Sequence, residues 1–197
     1  MKKAILSALF LFTVTVTSAQ IYTAKKGATN ISFFSAAPLE DIEAVNKDAS
    51  IVLKASTGDM QIRIPIQNFK FKNALMEEHF NENYLETEKK VEVNGVATYP
   101  NRYCEFKGKI NEKVDYAKEG ETKVTVTGKL DLHGVSKDVT LSGTITKEGN
   151  DYKLYCKFKI KVADYNIKVP SMYVKNIAEE VDVTFVTTLE QYKKPTQ

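Results

Sequence analysis

The sequence predicts a mainly β protein: a single extended antiparallel β-barrel of about eight strands, with one short amphipathic helix near residues 71–84. Along most of the chain, apolar and polar residues alternate with the period of a half-buried strand. Turn residues separate these stretches at short intervals. Residues 69–85 instead repeat their apolar side chains at the spacing of a helix. At 197 residues the chain is long enough for one such core.

The first nineteen residues have the pattern of a secretory signal peptide. Two lysines precede the apolar run Ala4–Val16, and Ala19 supplies the small residue at the end of the segment. The run is shorter than the ~20 residues that a membrane-spanning helix needs. We therefore predict cleavage after Ala19 and a mature domain of residues 20–197. The mature protein is expected to be exported, soluble and periplasmic.

Charge and cysteine content narrow the classes of function. The formal net charge of +3 falls to +1 when the two lysines of the signal peptide are removed, which gives no electrostatic case for nucleic acid. Cys104 and Cys156 lie on the inward faces of predicted strands, and an export compartment permits a disulfide. One internal bridge and two buried free thiols both fit. Their spacing matches no redox or metal motif.

The N-terminal half of the mature chain predicts short strands at residues 21–24, 30–36, 50–56 and 60–67. The stretch LEDIEA at residues 39–44 favours the start of a helix, which the sequence from Val45 onward interrupts. In the fourth strand, Pro65 lies on the polar face and predicts a locally unpaired edge or a bulge. Such an edge would also suit pairing into a homodimer.

The C-terminal half predicts longer strands at residues 103–110, 123–132, 139–145, 152–162 and 181–185. Glycines in their inward sets either let the strands bend or leave room for a ligand. These glycines are Gly108, Gly128 and Gly143. The polar faces carry repeated lysines, which argues against an outer-membrane barrel with an apolar outer face. The clearest row of lysines is Lys153, Lys157, Lys159 and Lys161.

The single predicted helix has one apolar stripe and must bury it on a sheet or across the mouth of a barrel. His79 falls on the polar side with Glu78 and Glu82, where we expect a surface residue rather than a metal ligand. The predicted stripe consists of Phe71, Leu75, Met76, Phe80 and Tyr84.

The sequence offers little for catalysis. The two histidines are His79 and His133, and the latter precedes a glycine in a predicted tight turn. No nucleophile elbow, phosphate-binding loop or zinc-protease motif is present. We therefore predict that the protein is not an enzyme and has neither catalytic residues, a metal nor a cofactor.

Five segments of the mature chain carry a resemblance to a known family. They are FFSAAPLEDIEA (33–44), STGDMQIRIPI (56–66), EEHFNENYLET (77–87), VTGKLDLHGVSKDVTLSG (126–143) and DYNIKVP (164–170). These segments resemble the YceI family of exported lipid- and polyisoprenoid-binding proteins. The resemblance implies a lipocalin-like barrel that holds a long isoprenoid chain, with the helix beside its mouth. Lys89–Thr98 departs from the family pattern and looks like an extra hairpin, which would change the choice of ligand if it folded over the mouth.

The predicted function is that of an exported, non-enzymatic carrier that holds a long-chain isoprenoid or similar lipid in the barrel interior. The alternative is a stress-related or protein-interaction module whose barrel is filled with side chains and binds no lipid. Each candidate pocket residue is equally well explained by ordinary core packing. The predicted pocket lining is Phe33, Ile62, Ile64, Phe80, Val126, Leu130, Leu141, Phe158 and Phe185.

Overall fold

A computed structural model describes residues 20–36, 41–168 and 178–193. The predicted signal peptide lies outside the described residues. A short α-helix, α1 (Ala74–His79), continues as a π-helical turn at Phe80–Tyr84, and two 3-10 turns occupy Ile66–Asn68 and Val162–Tyr165. The strands are β1 (Ile21–Ala24), β2 (Asn30–Ser35), β3 (Ile42–Asn46), β4 (Ser50–Lys54), β5 (Asp59–Pro65), β6 (Lys70–Phe71), β7 (Val91–Val93), β8 (Val96–Thr98), β9 (Tyr103–Ile110), β10 (Gly120–Leu132), β11 (Val135–Glu148), β12 (Asp151–Lys161) and β13 (Glu180–Gln191).

Eight strand positions close into an antiparallel barrel, as predicted. The order is β1-β4-β5-β9-β10-β11-β12-β13, and β13 pairs back onto β1. The short strands β2, β3 and β6 extend the positions of β1, β4 and β5 towards α1, with β2 also pairing on β13. The pairing of β13 with β1 closes the barrel.

The two ends of the barrel differ. At one end, which we call the base, the rings of Tyr22, Tyr116 and Tyr152 pack against one another with centroids 4.8–6.3 Å apart. Tyr116 lies in the loop between β9 and β10, and its carbonyl oxygen accepts a 2.5 Å hydrogen bond from the Tyr152 hydroxyl. At the other end, the mouth, α1 packs over the ends of β2 and β6.

The regular pairing of strands is interrupted along one row of residues across the sheet. Between β1 and β2, between β3 and β4, and between β5 and β6 the chain leaves the ladder for a few residues. On the mouth side of the same row, β11 no longer pairs with β12. Read through the cross-strand register, this row is Gly143, Cys156, Phe185, Ile31 and Asn46. Asn46, at the end of the row, donates its side-chain amide to the Pro65 carbonyl oxygen over 2.8 Å.

One local prediction was wrong. Ile42–Asn46, within the stretch expected to begin a helix, is strand β3, because Ala44 pairs with Phe33 of β2 on one side and with Phe71 of β6 on the other. Such tertiary pairing overrides a weak local propensity for helix. The single helix predicted near residues 71–84 is present, begins at Ala74 and ends with the turn at Phe80–Tyr84.

The glycines of the inward sets permit close approach of strands rather than leaving space. Gly108 and Gly128 are paired directly, and a Cβ on Gly108 would lie 2.6 Å from the Thr127 carbonyl oxygen. A Cβ on Gly143 would overlap the carbonyl oxygen of Tyr155 on β12. At Gly108, Gly128 and Gly143 the backbone of a neighbouring strand takes the place that a side chain would occupy.

The hairpin predicted at Lys89–Thr98 is present as the two-stranded sheet β7–β8. Asn94 and Gly95 form its turn, and both have positive φ, as the tight turns of two-residue hairpins require. Its valines are exposed rather than packed on the barrel: Val91 by 38%, Val93 by 52% and Val96 by 63%. No hairpin residue lines the barrel cavities, so the hairpin does not fold over the mouth.

Candidate functional site

The barrel contains an apolar cavity of about 430 Å³ at its mouth. The polar groups in its lining are few, and among them the Ser35 hydroxyl accepts a 3.1 Å hydrogen bond from the Ala178 amide. Such a volume lies within the ~300–1,000 Å³ range of small-molecule pockets. The lining comprises Phe33, Ser35, Ile42, Ile64, Ile66, Phe69, Phe71, Met76, His79, Phe80, Tyr84, Leu85, Cys104, Leu132, Ile160, Val162, Ile167, Val181 and Val183.

Four phenylalanines join the helix to the wall of this cavity. The rings of Phe33 on β2 and Phe80 on the helix stack at 23° with centroids 5.4 Å apart. Phe69 and Phe71 each contact both of these rings, at 5.0–5.8 Å. Offset and edge-to-face aromatic pairs of this kind add stability beyond the area that they bury. The cluster fixes the helix as the roof of the cavity.

The helix has local features that set its position and its phase. The Asn73 side chain accepts from the Leu75 amide over 2.8 Å, which caps the first turn. Asn81 donates its side-chain amide to the Glu77 carbonyl at the start of the π-helical turn. The cavity face is formed by Met76, His79, Phe80 and Tyr84.

Two residues of the predicted helix therefore have exchanged roles. His79 was expected on the surface but lines the cavity, and Leu75, expected in the buried stripe, is 54% exposed. The predicted stripe residues Met76, Phe80 and Tyr84 do face the cavity, while Leu75 and His79 lie at its margin, where burial depends on how the helix packs on the barrel. His79 is the one imidazole in the described lining of the mouth cavity.

The second histidine holds the end of the helical segment to the barrel. His133 Nδ1 lies 2.9 Å from the Tyr165 carbonyl oxygen, and Nε2 lies 3.2 Å from Oε2 of Glu86. The ring thus bridges the Tyr165 backbone and the Glu86 carboxyl group through its two nitrogens. A hydrogen bond from Lys89 holds the pKa of the Glu86 carboxyl below its ordinary value, with smaller contributions from His133. We call this contact the His133 latch.

A second, narrower space of about 100 Å³ continues towards the middle of the barrel. It shares Ile64, Cys104 and Ile160 with the mouth cavity, so the two spaces adjoin. All nine residues predicted to line a pocket lie around one or both spaces. Phe33 and Phe80 border the mouth cavity and Ile64 borders both, while the inner space is bordered by Ile62, Val126, Leu130, Leu141, Phe158 and Phe185.

The sequence prediction missed part of the lining of the mouth cavity. Ile160, Val181 and Val183 belong to the inward sets of β12 and β13, and Val162 directly follows β12 in the same alternation, so the sequence pattern identifies all four. No sequence signal marks Ile42, which lies where a helix was favoured. His79 was missed because it lies at the margin of the apolar stripe, where burial depends on how the helix packs on the barrel.

The two cysteines are free thiols in the structure. Burial raises the pKa of Cys104 to about 12 and that of Cys156 to about 11. Cys156 Sγ donates to the Ser142 carbonyl oxygen over 3.2 Å. Thiols with such pKa values are poor nucleophiles near neutral pH, so they contribute to the lining rather than to chemistry.

Comparison with known proteins identifies the fold family. A family model described as the YceI-like domain matches residues 13–189. The chain belongs to this family. Residues 13–189 include every strand of the YceI-like barrel except the last two residues of β13. No curated protein matches the chain in sequence.

Solved structures share the YceI-like fold at low sequence identity. A polyisoprenoid binding domain from Saccharophagus degradans, implicated in plant cell wall breakdown, superposes with a TM-score of 0.70 at 18% identity, covering 87% of this chain and 98% of that one. BcnA of Burkholderia cenocepacia gives 0.64 at 18% identity over 81% and 95%. A YceI protein of Campylobacter jejuni gives 0.51 at 15% identity over 98% and 100%.

Membrane spans and metal centres are two other features that the described residues could contain. No helix in the described part of the chain is long and apolar enough to cross a membrane. Within residues 20–36, 41–168 and 178–193, no group of three His, Cys, Asp or Glu side chains is placed to hold a metal ion.

Proposed function

We propose that this YceI-like protein is a non-enzymatic carrier that holds the chain of a long isoprenoid or similar lipid inside its barrel. The observation that carries the proposal is the apolar cavity of about 430 Å³ under the helix, with the narrower space below it. The structural neighbour from Saccharophagus degradans is a polyisoprenoid binding domain, which supports the choice of ligand class.

The energetics of burial favour such a ligand without a charged anchor. At about 0.8 kcal/mol per buried methylene, each five-carbon isoprene unit contributes on the order of 3–4 kcal/mol. Loss of translational and rotational freedom on binding costs about 4–15 kcal/mol. A few enclosed units therefore give useful affinity.

The direct test is native mass spectrometry of gently purified protein, followed by titration with a prenyl quinone and a prenyl phosphate. Retention of a co-purified lipid, or saturable binding of either probe, is the expected result. Protein that is consistently free of lipid and binds neither probe would overturn the proposal.

A pair of neighbouring substitutions shows whether binding occurs in the cavity. Ile160→Trp should fill space in the lining, whereas Lys159→Trp places the same ring on the exposed face of β12. The chain contains no tryptophan, so each variant also carries a single fluorescent reporter. We expect binding of the prenyl probe to weaken at least about tenfold in Ile160→Trp only. Equal affinities in the two variants would place the ligand elsewhere.

The alternative of a barrel filled with side chains is less well supported, because the described lining leaves an open volume. The exposed valines of β7–β8 are the observation that favours a protein partner. Binding of lipid by a variant without the hairpin would separate the two functions.

We also propose export through the segment that precedes Gln20. The support is the sequence pattern of residues 1–19, with two lysines, an apolar run and Ala19. The intact mass of protein recovered from the periplasm should correspond to a chain that begins at Gln20. A full-length mass, or recovery from the cytoplasm alone, would contradict this.

A further inference from the structure

The wall of the barrel contains a slit between β11 and β12. Their pairing runs from Glu148↔Asp151 to Gly143↔Cys156 and stops there, although both strands continue towards the mouth. Residues 138–142 of β11 keep only their partner β10, and residues 157–161 of β12 keep only β13. Among the described residues, no strand pairs across the gap between these two segments.

The slit is framed at both of its ends. On the base side, the Cys156 thiol donates to the Ser142 carbonyl oxygen, and Gly143 allows the close contact with Tyr155. On the mouth side, Lys137 Nζ forms a 3.0 Å ion pair with Asp164, and the His133 latch reaches Tyr165 just after β12. The opening is therefore a bounded feature of the wall and not the frayed end of a strand.

The inward side chains along the slit are more exposed than those just below it. Ile145 and Leu154, in the paired part of the two strands, are 3% and 5% exposed. Leu141, Phe158 and Ile160, on the same faces beyond the last pair, are only half-buried, and all three line the inner space of the barrel. The slit is thus continuous with the proposed lipid cavity.

The other boundaries formed by described residues are tightly packed. The base is closed by the rings of Tyr22, Tyr116 and Tyr152. The helix is fixed over the mouth by the phenylalanine cluster and by the His133 latch. Strand order places β6, which leads into the helix, on the far side of the barrel from the slit.

We propose that this slit is a side entrance through which the chain of a long isoprenoid lipid passes into and out of the barrel. The inference rests on the proposed function. A cavity of about 430 Å³ lies in the lower half of the ~300–1,000 Å³ range of ligand pockets, so a long chain needs an opening for the part that is not enclosed. Apolar side chains on the inner rim suit a prenyl chain.

The test is to fasten the slit with a short bifunctional maleimide. Continuing the register beyond Gly143↔Cys156 brings Thr140 opposite Lys159, and both side chains are exposed. Protein carrying Thr140→Cys and Lys159→Cys is cross-linked, and the association and dissociation rates of a fluorescent prenyl quinone are measured. The matched control uses Lys159→Cys with Asp182→Cys, which are cross-strand partners in the paired sheet.

We expect the cross-link over the slit to slow association and dissociation at least about tenfold with little change in Kd, because it blocks passage without altering the cavity. The control cross-link should change both rates less than about twofold. Unchanged rates after fastening the slit would overturn the side entrance alone. Failure of the unmodified protein to bind the probe would overturn the proposed function, and the side entrance with it.

Hydrogen exchange tests the slit without any substitution. The amides of residues 138–142 and 157–161 that face the gap should exchange faster than those of 143–148 and 151–156, and a bound prenyl chain should slow them. Equal protection on both sides of the Gly143↔Cys156 pair would show that the wall is closed and would overturn the proposal.

Discussion

Individual side chains show where strand periodicity determines a position and where it does not. Ile62 and Leu130 border the inner space because they sit in strands whose inward set is unambiguous. Leu75 and His79 were assigned to the wrong faces, because residues at the margin of a helical stripe are buried or exposed according to how the helix packs on the barrel. The nine predicted pocket residues lie around the cavities, but their contact with a ligand stays a prediction.

The buried thiol of Cys104 predicts a loss of stability at alkaline pH. Burial raises its pKa from 9.0 to about 12 in the folded protein. Its contribution to stability is therefore present below pH 9, the unfolded value, and is lost as pH rises through the folded value. Over this window the free energy of unfolding should fall by at most about 1.4 kcal/mol per pH unit for this group.

Urea unfolding between pH 8 and pH 11 checks this prediction. Cys104→Ala should reduce the dependence of stability on pH, while retaining the part due to tyrosines such as Tyr116, whose pKa burial raises to about 12. Cys156→Ala removes a thiol whose pKa burial raises to about 11, so it should reduce the dependence of stability on pH less than Cys104→Ala does. The same pH dependence in Cys104→Ala and the unmodified protein would contradict the prediction.

At the scale of elements, strands with clear alternation or a local turn signal were predictable, and β3 was not. β9, β10 and β12 show enough alternation to be recognised, whereas β3 depends on partners that lie far away in sequence. The end of pairing between β11 and β12 depends on register, which neither strand reveals alone. Hairpin β7–β8 was visible because Asn94-Gly95 is a strong local turn signal.

The His133 latch should stabilise the helix end of the barrel. His133→Ala removes a nearly buried ring that contacts Glu86 and Tyr165, and should cost about 1–3 kcal/mol. A double-mutant cycle with Glu86→Gln should give a coupling of only about 0.5–1 kcal/mol, since Glu86 is more than one third exposed. The measurement is chemical unfolding at neutral pH.

An exposed ion pair on the β10–β11 hairpin, whose turn contains His133, provides the control for this double-mutant cycle. Lys129 and Asp138 pair over 3.0 Å between β10 and β11, with both side chains more than 60% exposed. Their cycle, Lys129→Gln with Asp138→Asn, should give a coupling near zero. A coupling in the latch no larger than in this pair would show that the latch adds no stability.

Hairpin β7–β8 should be dispensable for folding. Its strands pair only with each other, and the valines remain exposed. Replacing residues 90–97 with a short glycine-serine link should change the melting temperature by less than about 4 °C, corresponding to about 1 kcal/mol or less in a domain of this size. Scanning calorimetry measures this. A larger loss would mean that the hairpin supports the barrel.

At the scale of the whole molecule, occupancy of the cavity should be visible as thermal stabilisation. A ligand at one hundred times its Kd stabilises the folded state by about 2.7 kcal/mol. For a domain of 150–250 residues this corresponds to a rise in melting temperature of about 5–10 °C. The measurement is scanning fluorimetry with a prenyl quinone, using Ile160→Trp as the control. An equal rise in that variant would indicate binding outside the cavity.

Whether the barrel is hollow could not be predicted from its sequence. The same alternation would describe a barrel in which larger side chains met across the centre. The open volume depends on how all the inward residues fit together at one level, and on a helix whose phase was not readable. Recognising the family came from local segments such as the turn around His133, which needed no three-dimensional information.

Along the row from Gly143 to Asn46, β11 stops pairing with β12 and the N-terminal strands are interrupted. This row divides the barrel into two parts that can evolve at different rates. On the base side, continuous ladders and packed tyrosines constrain each residue through many neighbours. On the mouth side, short strands, the helix and the slit meet a cavity instead of a filled core. Substitutions there can reshape the binding space at little cost to folding, so homologous lineages should diverge in ligand preference mainly on that side.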